Sequence, residues 1–120
     1  MKAVFDTNIL IDFLNQDDRA RQEFALYDRK LISVITQIEI LVGAQDKDDE
    51  IELRRFLAGF DVCPITNEVA DFCVKLRQKH KLRIPDALIW ATALNYECQL
   101  VTRNSRDFKM QHPSLRLPYT

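Results

Sequence analysis

At 120 residues the chain has the length of one domain, enough to bury roughly two-thirds of its unfolded surface around a single core. Its 47% hydrophobic and 29% charged residues describe globular material and exclude a disordered tail. A net charge of −1 argues against a protein that coats nucleic acid along its whole surface, but not against a local site where carboxylates and bound cations offset one another.

In chain order, KAVFD at residues 2–6 reads as a short buried strand. Thr7 and Asn8 are possible caps for a helix that opens with ILIDFL. Residues 17–30, charged with apolar spacing at Phe24 and Leu26, predict a second helix. LISVI at 31–35 is β-branched and predicts a buried strand. Thr36 is placed to cap the next helix with Glu39 at its third position, a capping box. An amphipathic helix is expected over 46–60, then a short strand over 62–65 that Pro64 confines to an edge or a strand end. Thr66 or Asn67 caps a helix through Lys79, and Pro85 opens another, PDALIWATALNYE. QLVTRN at 99–104 predicts a strand, and LRLPY a last short one.

Strands alternate with helices and no linker or repeat interrupts them. The expected fold is therefore α/β over residues 1–120, a single domain with a mainly parallel sheet covered on both faces as a three-layer sandwich. Only Gly43 and Gly59 are present, which argues against a glycine-rich phosphate loop. Cys63, Cys73 and Cys98 are odd in number and lack C-x-x-C spacing, so they read as free thiols in a reducing, cytoplasmic compartment. Asp6 comes too early for a secretory hydrophobic region, and no apolar run approaches the roughly 20 residues that span a bilayer.

In parallel sheets ligands bind beyond the carboxyl ends of the strands. Asp6 ends the first strand, Glu39 and Asp86 are expected in the first turns of their helices, and Asn104 and Asp107 follow the QLVTRN strand. The topology would carry all of them to one sheet edge. Carboxylates gathered in one cleft raise one another's pKa, and a hard divalent cation removes that penalty. Mg²⁺ suits such a site, since it takes oxygen ligands and keeps several waters. Asp6, Glu39, Asp86 and Asp107 are thus the candidate catalytic carboxylates, the first three also the candidate metal ligands. Asp12, Asp17, Asp18, Asp46, Asp48, Asp49 and Glu50 read as ordinary solvated charge.

The segments AVFDTNILIDFL, SVITQIEILVGA, RIPDALIWATAL and LVTRNSRDF closely resemble, in order and spacing, the four motif blocks of PIN domains, in particular those of VapC-type toxins from bacterial toxin–antitoxin pairs. The resemblance spans nearly the whole chain. It implies an α/β/α sandwich and cleavage of RNA dependent on Mg²⁺ or Mn²⁺. Asp6, Glu39 and Asp86 stand at the family's first three acidic positions, and Asn104 or Asp107 at its fourth. Thr7, Asn8 and Thr102 look like supporting residues. A cognate antitoxin and a homodimer are the implied partners, with Phe13, Phe24 and Phe56 either contact residues or core.

Arg77, Lys79, His80, Lys81 and Arg83 form a basic cluster just before Asp86, and Arg103 and Arg106 flank the fourth block. Lys79, Lys81, Arg83, Arg103 and Arg106 are therefore the expected RNA contacts. His80 and His112 read as incidental and Trp90 as core. The expected reaction is hydrolysis that leaves a 5′-phosphate and a 3′-hydroxyl. Two rivals are a phosphotransfer enzyme with Asp6 as nucleophile, disfavoured by Asn8 where a second Asp is usual, and a non-catalytic interaction module of the same fold.

Overall fold

The structure, a computed structural model, describes residues 1–120. In chain order the elements are β1 (Lys2–Phe5), α1 (Thr7–Leu14), α2 (Asp18–Phe24), β2 (Arg29–Ser33), α3 (Val34–Val42), α4 (Lys47–Leu57), β3 (Asp61–Cys63), α5 (Asn67–Lys79), α6 (Ile84–Asn95), β4 (Gln99–Val101) and β5 (Leu115–Arg116). The five strands form one sheet in the order β3-β2-β1-β4-β5, and every pairing is parallel.

Successive side chains on a strand point to opposite faces, and this alternation builds two cores. Val4, Leu31 and Leu100 pack on one face with Trp90 and Ala87 of α6 and with Val69 and Leu76 of α5. Ala3, Phe5, Ile32 and Val101 pack on the other with Ile9 and Leu10 of α1, Phe24 of α2, Ile40 of α3 and Leu57 of α4. The three-layer sandwich expected from the sequence is the fold the chain adopts. Phe13, Phe24 and Phe56 belong to this second core. Phe13 stacks on both others, at 4.7 and 5.5 Å between ring centres.

Several boundaries differ from the sequence reading, each for a local reason. β2 runs over Arg29–Ser33 and not 31–35, because the Ser33 side chain accepts the Ile35 N–H and starts α3 there. The capping box expected at Thr36 and Glu39 does not form. Thr36 is fully buried inside the helix, and Glu39 lies in its second turn. At the head of α1 the cap is Asp6 and not Thr7 or Asn8. α6 starts at Ile84, one residue before Pro85. α2 ends at Phe24, well short of residue 30, and β3 stops at Cys63, just before Pro64, on the sheet edge.

With so few glycines, the chain places Gln16 (φ 63°) and Glu97 (φ 55°) in the left-handed region just past the C-caps of α1 and α6, where glycine is the usual residue. The C-terminal segment is tied back across the α1–α2 face. Arg116 pairs with the buried Glu23, and the Tyr119 hydroxyl donates to Asp12 at 2.9 Å. The Arg19 guanidinium lies 4.5 Å from the centre of the Tyr119 ring.

Candidate active site

Because all strands run one way, their carboxyl ends share an edge. β1 leaves that edge into Asp6, and β4 leaves it into Thr102. α6, which leads into β4, carries Asp86 in its first turn. Asp6 is 5% exposed. One carboxylate oxygen accepts the Thr7 N–H at 2.8 Å, which caps α1. The other accepts the Thr102 hydroxyl at 2.8 Å and the Asn8 amide at 3.2 Å. Thr102 Oγ1 in turn accepts from Asn8 Nδ2 and from the Asn104 N–H, and Asn8 Oδ1 accepts the Arg103 N–H. Asp6, Asn8 and Thr102 thus join the ends of β1 and β4 in one polar network that fixes the Asp6 carboxylate.

Burial pushes the Asp6 pKa up to about 6. The hydrogen bonds from Thr102 and Thr7 oppose the shift, while the nearby charges of Asp86 and Glu39 add to it. Asp86 is also raised, first by burial. The Arg83 charge opposes this, and Asp107 and Glu39 reinforce it. Four carboxylates from four distant parts of the chain therefore feel one another: Asp6, Glu39, Asp86 and Asp107.

Glu39 is exposed at the cleft rim, and Thr7 Oγ1 lies 2.7 Å from one of its oxygens and 2.9 Å from the buried Thr36 Oγ1. A hydroxyl has one proton. When Thr7 donates to the carboxylate, Thr36 supplies the proton for the other contact. Thr36 was absent from the sequence-based site because it was assigned to a cap. The signal available was its position, three residues before Glu39 on the same helix face.

Asn104 and Asp107 are joined to each other. The Asn104 amide donates to an Asp107 oxygen at 2.8 Å, and Asn104 Oδ1 accepts the Asp107 N–H at 3.2 Å. Asn104 thereby orients Asp107, whose charge reaches Asp86.

Two sequence-based expectations need correction. Arg103 makes a two-pronged ion pair with Asp12, at 2.6 and 3.1 Å, so Nε and Nη2 of its guanidinium are held by an internal carboxylate and not turned to phosphate. Asp12, read from sequence as solvated, is buried between Arg103 and Tyr119. Asp17 and Asp46 likewise do more than solvate the surface, since they cap α2 and α4. Lys79, Lys81 and Arg83 do lie together, with Arg77, around a cavity of about 470 Å³ next to Asp86, and Arg106 is exposed.

The donor set suits a hard divalent cation. Asp86 Oδ2 is buried with no hydrogen-bond partner. Its nearest cation is Arg83 Nε at 3.7 Å, too far for a hydrogen bond. An unpartnered buried carboxylate oxygen beside two further carboxylates is costly unless a cation joins them. No three of the side chains converge closely enough to hold an ion by themselves. Mg²⁺ does not need that, because it binds through one or two carboxylates and completes its shell with water and phosphate oxygen. Asp6 is poorly placed as a covalent nucleophile, with both oxygens already accepting hydrogen bonds and little surface exposed.

The family model for the PIN domain matches residues 3–111. A chain in a toxin–antitoxin complex from Klebsiella pneumoniae superposes with a TM-score of 0.91 at 40% identity, over 98% of both chains. Ribonuclease VapC of Rickettsia bellii is 28% identical, covering 91% of this chain and 90% of that protein. The chain of the FitAcB structure from Neisseria gonorrhoeae, at 19% identity over 97% of both chains and a TM-score of 0.80, shares the fold. No helix is long and apolar enough to cross a membrane. With the family model matched over residues 3–111 of its 120, the chain belongs to the PIN-domain family.

Proposed function

We propose that the protein is a divalent-metal-dependent endoribonuclease and the toxin component of a toxin–antitoxin pair. The observation that carries this reading is the unpartnered Asp86 oxygen in a cluster with Asp6, Glu39 and Asp107, flanked by Lys79, Lys81 and Arg83. The relatives named ribonucleases and the complexes named toxin–antitoxin support it.

Asp6, Asp86 and Glu39 would hold Mg²⁺, or Mn²⁺ in its place. Bound there, the ion would neutralise the scissile phosphate and lower the pKa of a water for in-line attack. The protein's own residues prepare the place. Thr102, Asn8 and the Thr7 N–H hold Asp6 in one orientation, and Thr7 steadies Glu39. Asn104 presents Asp107 toward Asp86, where it can accept a proton or a water hydrogen bond. The basic loop between α5 and α6 supplies phosphate contacts. The products carry a 5′-phosphate and a 3′-hydroxyl. The protein acts in the cytoplasm, where its three free thiols stay reduced, as a homodimer held in check by a small cognate antitoxin.

The test is cleavage of a mixed panel of structured RNAs by the purified chain with Mg²⁺, with Mn²⁺ and with chelator, beside Asp6→Asn and Asp86→Asn. Metal-dependent cleavage lost in both variants is expected. Folded, antitoxin-free protein that cleaves nothing under any condition would favour the non-catalytic interaction module instead. Light scattering of the same preparation reads the dimer.

A further inference from the structure

Next to the cationic cavity lies a second one, of about 440 Å³, with a different lining. The two share Gln78, Lys79 and His80 as a common wall. The second is walled by Phe72, Leu76 and Leu94 and edged by Lys75 and His112. No carboxylate lines either cavity. Lys75, Lys79 and Lys81 take part in none of the protein's ion pairs. An apolar slot beside unpaired cations suits a ligand that is flat and apolar on its faces and anionic along one edge. A nucleotide in a single strand has that character.

The position along α6 places this slot relative to the acidic cluster. Trp90 is one helical turn beyond Asp86 and Leu94 two turns beyond, about 6 and 12 Å along the axis. The slot therefore opens within reach of nucleotides that flank a phosphate held at Asp86. His80 lies against Trp90 at 5.3 Å between ring centres, and His112 meets its edge at 5.4 Å.

Hydrogen bonding also engages one ring nitrogen of His112. Ser114 Oγ accepts the Trp90 indole N–H at 2.8 Å and lies 2.8 Å from His112 Nδ1, which also accepts the Ser114 backbone N–H at 3.1 Å. With Nδ1 accepting the Ser114 N–H, Nε2 is the ring nitrogen left to meet a ligand. With the ammonium groups of Lys75 and Lys79, the slot's rim presents mainly donors, matched to the carbonyl and ring-nitrogen acceptors of a base.

We infer that this slot is a nucleobase subsite that receives a base of single-stranded RNA next to the cleaved phosphate, while Lys79, Lys81 and Arg83 hold the strand's backbone. The inference rests on the ribonuclease reading and names where its substrate's base is read. Trp90 is the chain's one tryptophan, and both histidines of the slot touch it, so its fluorescence reports occupation.

The experiment titrates the full chain, in chelator, with a mixed-sequence single-stranded RNA hexamer and with versions from which each base in turn is removed. Removal of one particular base is expected to weaken binding roughly tenfold and to suppress the Trp90 signal, with little effect at the other positions, as loss of one stacked base does. Lys75→Glu and Phe72→Ala, checked for native unfolding behaviour, should remove that position's preference. A Trp90 response that is equal for every abasic hexamer, or a preference unchanged in Lys75→Glu and Phe72→Ala, overturns the subsite. Adding Mg²⁺ separates the two readings. Cleavage without base preference leaves the nuclease and removes the subsite, whereas base-dependent binding without any cleavage does the reverse.

Discussion

Replacing Asp6 by Asn should make the metal-free protein more stable while abolishing cleavage. Burial holds the Asp6 pKa at about 6 in the folded chain against an ordinary value of 3.8. At 1.36 kcal/mol per unit, keeping this carboxylate charged in the fold costs about 3 kcal/mol at neutral pH. Asparagine has no charge to bury. Its Oδ1 can keep the Thr7 cap, and the Thr102 hydroxyl can turn to accept from the new amide. The Asn8 amide then loses its acceptor, which takes back about 1 kcal/mol. The net gain expected is about 1 to 2 kcal/mol at pH 7.5.

The pH dependence supplies the sharper test. Between pH 6 and about 4 the folded chain holds a proton on Asp6 that the unfolded chain has released. Wild-type stability attributable to Asp6 therefore rises as pH falls through this window, and the penalty is fully present only above pH 6. The advantage of Asp6→Asn should accordingly vanish by pH 4. Urea unfolding in chelator, followed by Trp90 fluorescence at pH 7.5 and pH 4, measures both values. A variant less stable than wild type at pH 7.5, or a difference between the two proteins that does not change with pH, would refute the claim that burial of this charge dominates the site.

Further outcomes are expected for five other substitutions. Ser33→Ala should lower stability by about 1 kcal/mol in urea, the usual loss of a helix cap, because Ser33 and not Thr36 starts α3. Glu97→Gly should raise stability by about 0.5 to 1 kcal/mol in the same assay, since φ 55° strains a residue with a side chain. Glu23→Gln should cost about 2 to 3 kcal/mol by thermal or urea unfolding, because it leaves Arg116 unpaired beside a buried site that also takes the Tyr27 hydroxyl. Arg103→Met should cost about 2 kcal/mol of stability by stranding Asp12. It should leave the salt dependence of RNA binding unchanged, whereas Lys81→Ala should reduce that slope by about one phosphate contact.

Strand alternation, the parallel sheet and the three layers were legible because each rests on a pattern that local sequence carries: short apolar runs, capping residues and the order of elements. Leu31 and Ile32 show why two faces were expected, since neighbours on one strand feed different cores. The places of Asp6 and Asp86 were legible for the same reason, as one follows a strand end and the other lies in the first turn of a helix. Boundaries were less so. Val34 and Ile35 favour strand by propensity, yet the Ser33 cap places them in α3, and this moved Glu39 a turn further along its helix. Asp12 looked like surface charge because its partner, Arg103, lies 91 residues away, and the Glu23–Arg116 pair, 93 residues apart, is likewise one that no local pattern encodes.

Those long-range pairs bear on the site itself. The acidic edge is intrinsically unfavourable: Asp6 and Asp86 are both raised by burial, and one Asp86 oxygen has no partner. A cluster of this kind would relax by opening unless the surrounding chain prevented it. The loop after β4 carries Thr102, Asn104 and Asp107, and it is held from one side by the Asp6–Asn8–Thr102 network and from the other by the Arg103–Asp12 pair. Tyr119 closes on the same Asp12, and Arg116 anchors β5 beside it through Glu23. The C-terminal segment therefore does for the fourth carboxylate what the strand ends do for the first. It fixes a charge where the fold alone would disfavour it, so the acidic edge is held assembled, and the proposed cation and phosphate would meet little reorganisation there.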